Sequence, residues 1–204
     1  MSHHSGNPRP EVVPFIPVAC KTVLDVGCSD GLFAEQLQTQ RPGVVVDGVE
    51  PDRVTADAAT SRMRTVYRGR FPDAVPASEQ YDCVTFLDSL EHMPEPWDIL
   101  RATTKHLTPT GVVVASLPNI RSASALKTLL IDRDWPWDDS GIYDRTHLRF
   151  FTQKSMWRLF ETSGYLVESC DPINETRSRK AHLLSKLLGR EVLALQFVVV
   201  AHPV

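Results

Sequence analysis

The run Val23-Leu24-Asp25-Val26-Gly27-Cys28-Ser29-Asp30-Gly31 decides how the chain reads. Val23 to Val26 is a short β-rich stretch that ends on a glycine turn. Leu32 to Gln40 follows as a helix, with Leu32, Phe33 and Leu37 on one side. A strand, a tight turn and a helix N-terminus together form a place for a charged, hydrogen-bonding ligand. Gly27 and Gly31 let the backbone approach such a ligand where a side chain would block it.

Working outward, Val44 to Val49 is a second strand, nearly all valine, as expected when both faces of a sheet are covered. It delivers Glu50 at its C-terminal end, 19 positions after Gly31. A carboxylate there can accept both ribose hydroxyls of an adenosine cofactor. The dinucleotide fingerprint is G-x-G-x-x-G, but this turn is spaced G-x-x-x-G, with Ser29 where the middle glycine would sit. Asp25 would repel a pyrophosphate and can help hold an ammonium group. Both features favour S-adenosylmethionine, which has no phosphates. A nicotinamide-dependent oxidoreductase is the competing enzyme class, disfavoured by the spacing and by the lack of an evident Tyr-x-x-x-Lys pair. A non-catalytic module that keeps the fold is the third reading.

The remaining pattern alternates strands and helices. A helix is predicted over Val54 to Met63, a weak strand over Thr65 to Tyr67, a strand over Tyr81 to Leu87, and a helix over Trp97 to Leu107. Val112 to Ser116 is a strand, Lys154 to Ser163 a helix capped by Gly164, and Tyr165 to Cys170 and Leu193 to Ala201 the last strands. This predicts an α/β fold: a Rossmann-like, seven-stranded sheet in three α/β/α layers, its last strand antiparallel. Residues 1–11 read as a disordered tail and 12–204 as one domain. Two segments, 119–150 and 171–192, exceed the minimal alternation and stand as acceptor-side insertions.

Leu24-Asp25-Val26-Gly27-Cys28-x-x-Gly31 resembles motif I of the class I S-adenosylmethionine-dependent methyltransferases, and Gly48-Val49-Glu50-Pro51 their acidic second motif. Asp88-Ser89-Leu90-Glu91-His92-Met93-Pro94, after a fourth strand, and Ser116-Leu117-Pro118-Asn119, closing a fifth, resemble later motifs of a large subgroup. The resemblance covers roughly residues 20–170. It implies that Gly27, Cys28, Ser29 and Gly31 line the methionine part of S-adenosylmethionine. It places Glu50, with Pro51, at the ribose, Gly69, Arg70 and Phe71 beside the adenine, and Leu87 and Asp88 facing the cofactor. Arg70 departs from the pattern, since that loop usually offers the adenine an acid.

Transfer to an alcohol-type oxygen benefits from a base, and histidine is the usual choice near neutral pH. His147, oriented by Asp144, is the favoured base and His92 the second. Some sugar methyltransferases use a divalent metal, so Mg2+ shared by Asp144 and His147 is a weaker expectation; no metal ligands are assigned. Asn119, Trp135, Tyr143 and Arg149 are candidate acceptor contacts, because aromatic faces near carboxylates suit a sugar; a lid helix with its own small core is the alternative for the aromatics. The fifth-strand ending and Asp144 to Thr152 resemble small bacterial methyltransferases of polysaccharide pathways, mycobacterial sugar O-methyltransferases among them. The implied acceptor is a sugar or oligosaccharide such as a mannoside. N- or O-methylation of another small metabolite stays open.

A net charge of −3 in 204 residues gives no sign of a nucleic-acid partner. No signal peptide and no membrane span is visible, and the four scattered cysteines read as reduced thiols, so a cytoplasmic location is expected. Arg177 to Arg190 carries five cations and no acid between them. It reads as a solvated helix face, with an anionic acceptor or a homodimer contact as alternatives.

Overall fold

The computed structural model describes residues 6–204. Seven strands form one sheet: β1 Thr22–Val26, β2 Val45–Glu50, β3 Val66–Arg68, β4 Tyr81–Leu87, β5 Leu107–Pro118, β6 Tyr165–Glu175 and β7 Ala194–Pro203. Their order is β3-β2-β1-β4-β5-β7-β6. The first five are parallel to one another, whereas β7 runs antiparallel to both β5 and β6. This is the predicted sheet, including its antiparallel last strand.

Side chains alternate across the strands and build two cores. Leu24, Val26, Val49 and Phe86 face one side, under helices α3 (Pro96–Thr103) and α5 (Gln153–Thr162), which contribute Leu100, Met156 and Phe160. Val23, Val46 and Val114 face the other, under α1 (Leu32–Gln40) and α2 (Arg53–Ala59) with Phe33, Leu37 and Ala56. The valine-rich strands are therefore covered on both faces. Asp47 in the middle of β2 is tolerated because the Arg64 guanidinium and the Tyr81 hydroxyl both donate to its carboxylate.

Several boundaries differ from the sequence reading. The β5 strand begins at Leu107, not Val112, because its pairing with β4 shifts register between Tyr81 and Cys83 and so absorbs Pro109 and Gly111. The β6 strand continues to Glu175 and takes the start of the 171–192 segment into the sheet. Pro172 is accommodated there because β6 is an edge strand. The rest of that segment carries α6 (Arg179–Leu188). In 119–150, α4 (Ala123–Lys127) runs into one wider turn over Thr128–Asp132, and irregular backbone follows.

The expected disordered tail lies partly outside the described residues, which begin at Gly6. Arg9 corrects it: the residue is 6% exposed, because its guanidinium reaches an acid at the end of β4 and Val12, Val13 and Ile16 bury themselves against the core. No helix among the described residues is long and apolar enough to cross a membrane.

Candidate active site

The glycine turn is fixed by long-range backbone bonds. Gly27 and Cys28 both donate their N–H to the Val49 carbonyl, at 2.8 and 3.2 Å, which ties the end of β1 to β2. Gly27 has φ +82°, where a side chain is strained, and a Cβ there would crowd Ser89 Cβ at 3.0 Å. Ser29 takes φ +49°, which turns its N–H toward Glu50 Oε2 at 2.9 Å. The Asp52 N–H donates to the other oxygen, Oε1, also at 2.9 Å. Both carboxylate oxygens are thus held by backbone, and each keeps a lone pair for a further donor. Burial raises the Glu50 pKa against these two hydrogen bonds. Asp25, 3% exposed, is pushed up to about 7 by burial although the Thr85 hydroxyl donates to it at 2.7 Å.

These residues open on a cavity of about 1230 Å³ at the C-terminal ends of β1, β2 and β4, the usual ligand crevice of an open α/β sheet. Every cofactor-side candidate borders it except Gly31. The missing side chain of Gly31 (φ +80°) instead makes room for α2, with Ala59 and Arg62 3.3 and 3.4 Å from a built Cβ. The Cys28 thiol is buried and raised by that burial, in keeping with a small turn residue rather than a nucleophile.

Asp88 forms the floor. Its carboxylate receives the Arg9 guanidinium, the Ser116 hydroxyl at 3.0 Å and the Gln196 amide at 2.9 Å. Arg9 also donates to the Ser116 and Gln196 side chains, at 3.1 and 3.4 Å. Sequence reasoning missed Arg9, and no local signal could have found it, because its partners come from β4, β5 and β7.

The acceptor end gathers Glu91, His92, Asp144, Thr146 and His147 on the same cavity. The His92 and His147 rings meet edge to face, 4.7 Å between centroids. His147 points Nδ1 at the Ile142 carbonyl, 3.3 Å away, and Nε2 toward Glu91 Oε1, at 3.9 Å. Burial and the neighbouring His92 lower its pKa, which favours the neutral imidazole. Asp144 orients His92 rather than serving His147 alone. One of its oxygens accepts the Thr146 hydroxyl at 2.6 Å, and that hydroxyl lies 3.1 Å from His92 Nδ1. Burial opposes the Asp144 charge, but the Thr146 bonds and the two imidazoles outweigh it and lower the pKa. Glu91 was passed over within its own motif. It is fully buried, neither carboxylate oxygen has a hydrogen-bond partner, and burial raises its pKa well above the usual value. Its backbone carbonyl accepts from Leu148 and Arg149, at 2.8 and 3.1 Å, and so ties the insertion to the end of β4.

None of the four candidate acceptor contacts borders the cavity. Asn119 is wholly buried and structural: its amide donates to the Glu191 and Ala194 carbonyls, both at 2.9 Å, and its oxygen caps the Arg121 N–H. Tyr143 donates its hydroxyl to the Ala125 carbonyl at 2.7 Å. Trp135 packs edge-on against Tyr143 and Phe150, so the aromatics form the insertion's own small core. Arg149 binds the Pro94 carbonyl and Glu95.

Comparison with known proteins agrees with this geometry. A methyltransferase-domain family model matches residues 9–169. The chain belongs to that methyltransferase family. The chain is 28% identical over 165 residues to a ubiquinone biosynthesis O-methyltransferase of Aeromonas salmonicida, covering 76% of this chain and 66% of that protein. A protein of the same name from Aliivibrio fischeri is 36% identical over 104 residues, 48% of this chain and 44% of that one. The chain spans about half to two thirds of the length of the curated relatives it matches. Its fold superposes on a SAM-dependent methyltransferase from Archaeoglobus fulgidus with a TM-score of 0.67 at 18% identity, covering 94% of this chain and 89% of that one. An O-methyltransferase of neocarzinostatin biosynthesis, solved with S-adenosylmethionine, gives 0.61 at 14% identity over 92% of this chain and 50% of its own. Family membership sets aside the nicotinamide reading.

Proposed function

We propose that the chain is an S-adenosylmethionine-dependent O-methyltransferase acting on a hydroxyl of a small polar acceptor. The observation that carries this reading is one cavity shared by the Gly27–Glu50 cradle and the Glu91–His92–His147 cluster. The cradle fits the cofactor: Glu50, pinned by Ser29 and Asp52, has lone pairs left for two ribose hydroxyls. Gly69 and Phe71 border the adenine, and exposed Arg70 leaves recognition of its amino group to backbone. The methionine end lies beside Asp25 and beside Asp88, whose carboxylate is held in place by Arg9, Ser116 and Gln196. Bound there, S-adenosylmethionine supplies a sulfonium methyl group, which bonds to the acceptor oxygen as the carbon–sulfur bond breaks and sulfur keeps the electron pair.

With no ion at the cluster, His147 takes the hydroxyl proton on Nε2, because its Nδ1–H is committed to the Ile142 carbonyl. His92, aligned by Thr146 and Asp144, packs against it and limits its rotation. His147→Gln is expected to lower kcat about a hundredfold or more while S-adenosylhomocysteine still binds as in the wild type. Unchanged turnover would remove His147 as the base.

A sugar acceptor draws support from the hydroxyl and amide groups of Ser122, Ser124, Ser140 and Asn174 on the cavity wall. The curated relatives are named for O-methylation in ubiquinone biosynthesis, which favours an acceptor related to that ring instead. A panel of mannosides, catechols and amines, read by release of S-adenosylhomocysteine, decides between sugar, phenol and nitrogen acceptors.

A further inference from the structure

We propose that Glu91, His92 and His147 bind a divalent transition-metal ion of the nitrogen-preferring kind, Zn2+ or a close substitute, and not Mg2+. One ligand atom from each of the three lies within 4.8 Å of the others, and His147 Nε2 is 3.9 Å from Glu91 Oε1. A tetrahedral ion with bonds of about 2.1 Å holds its ligand atoms ~3.4 Å apart. The cluster is wider than that by at most about 1.4 Å, a difference that binding would close by movement shared among the three side chains.

Three further features point to a ligand. Glu91 is 0% exposed with both oxygens unpartnered, an arrangement that costs free energy unless a proton or a cation compensates it. Both histidines are already set as ligands. His92 Nδ1 faces the Thr146 carbonyl at 3.2 Å and His147 Nδ1 the Ile142 carbonyl at 3.3 Å. A donor hydrogen on each Nδ1 leaves each Nε2 as the lone-pair nitrogen, the second-shell arrangement that metal-bound imidazoles show. Thr146 and Asp144 extend that support behind His92. Finally, all three residues border the cavity, so the ion keeps a position open toward it, as catalytic sites do.

The donor set decides the ion. Mg2+ seeks oxygen ligands in an octahedron and keeps its waters. Two imidazoles and one carboxylate suit Zn2+, Co2+ or Ni2+. This donor set differs from the Asp144–His147 pair expected to share Mg2+. Ion binding stands independently of the function proposed above; only its consequence rests on that reading. In the metal-bound form His147 is a ligand, and the ion replaces it as the group that meets the acceptor oxygen.

The test uses the full chain with His3 and His4 replaced by alanine, stripped by chelator and titrated with CoCl2 and with ZnCl2. One equivalent of Co2+ per chain, with the visible absorption of a four- or five-coordinate ion, is expected. Zn2+ should displace it, and excess Mg2+ should not. Glu91→Gln, His92→Asn and His147→Ala should each weaken Co2+ binding at least tenfold, and Thr146→Val about tenfold. Thermal unfolding and S-adenosylhomocysteine binding, measured on every variant, confirm that each folds. A Co2+ spectrum that is absent, octahedral, displaced by Mg2+ or retained in the folded variants overturns the site. Loss of the site with S-adenosylhomocysteine binding intact leaves the methyltransferase reading standing.

Discussion

Arg9 and Asp88, 79 positions apart, are joined by an ion pair at the floor of the cavity. The guanidinium side chain is 7% exposed and the carboxylate 32%. Removing one partner of a largely buried pair leaves the other charge without compensation. Arg9→Ala is therefore expected to cost about 2 kcal/mol of stability, read from urea unfolding at constant m-value. A loss below a few tenths would show that Asp88 is satisfied by Ser116 and Gln196 alone.

Glu50→Gln tests the cradle. The amide puts an NH2 group against the N–H of Ser29 or Asp52, where the carboxylate accepted both. Calorimetry should show S-adenosylhomocysteine binding weakened about tenfold or more, as for loss of hydrogen bonds to a charged acceptor. Wild-type affinity in this variant would move the ribose elsewhere.

Asp25 makes stability depend on pH. In the unfolded chain its carboxyl ionises near pH 4, whereas in the folded chain it holds its proton up to about pH 7. Between those values the folded state binds more protons, so this group lowers stability as pH rises from about 4 to 7 and adds no slope above. Urea midpoints of wild type and Asp25→Asn, compared across that range, should diverge in favour of the variant with rising pH. Parallel curves would show that Asp25 is ionised in the folded chain.

Asn119→Ala should behave as a structural lesion. It strips the Glu191 and Ala194 carbonyls of their donor inside the core. We expect about 2 kcal/mol of destabilisation, or a fall of roughly 4–8 °C in Tm at this chain length. S-adenosylhomocysteine affinity should be unchanged. A selective effect on the acceptor KM, with Tm preserved, would return Asn119 to the substrate.

The cofactor half was legible because its information is local. Gly27, Ser29 and Glu50 act through a turn and a strand end that short-range pattern specifies, and the structure puts them within hydrogen-bonding reach. The acceptor half was only partly legible. His92 and His147 stand out by residue type, yet their link through Thr146 closes over 54 positions. Trp135 and Tyr143 read as a sugar platform because composition cannot distinguish an aromatic that faces a cavity from one that packs on its neighbours. Glu91 stood out only as a member of its motif, since burial of a charge leaves no mark in sequence.

The Glu91 carbonyl that receives Leu148 and Arg149 separates two tasks. Upstream of that clasp, residues 120–143 run between two fixed points, Asn119 in the core and Asp144 behind His92, and put Ser122, Ser124 and Ser140 on the cavity wall. A graft that exchanges substrates among such proteins therefore has its natural ends inside those two anchors, with Asn119, Asp144 and Thr146 kept.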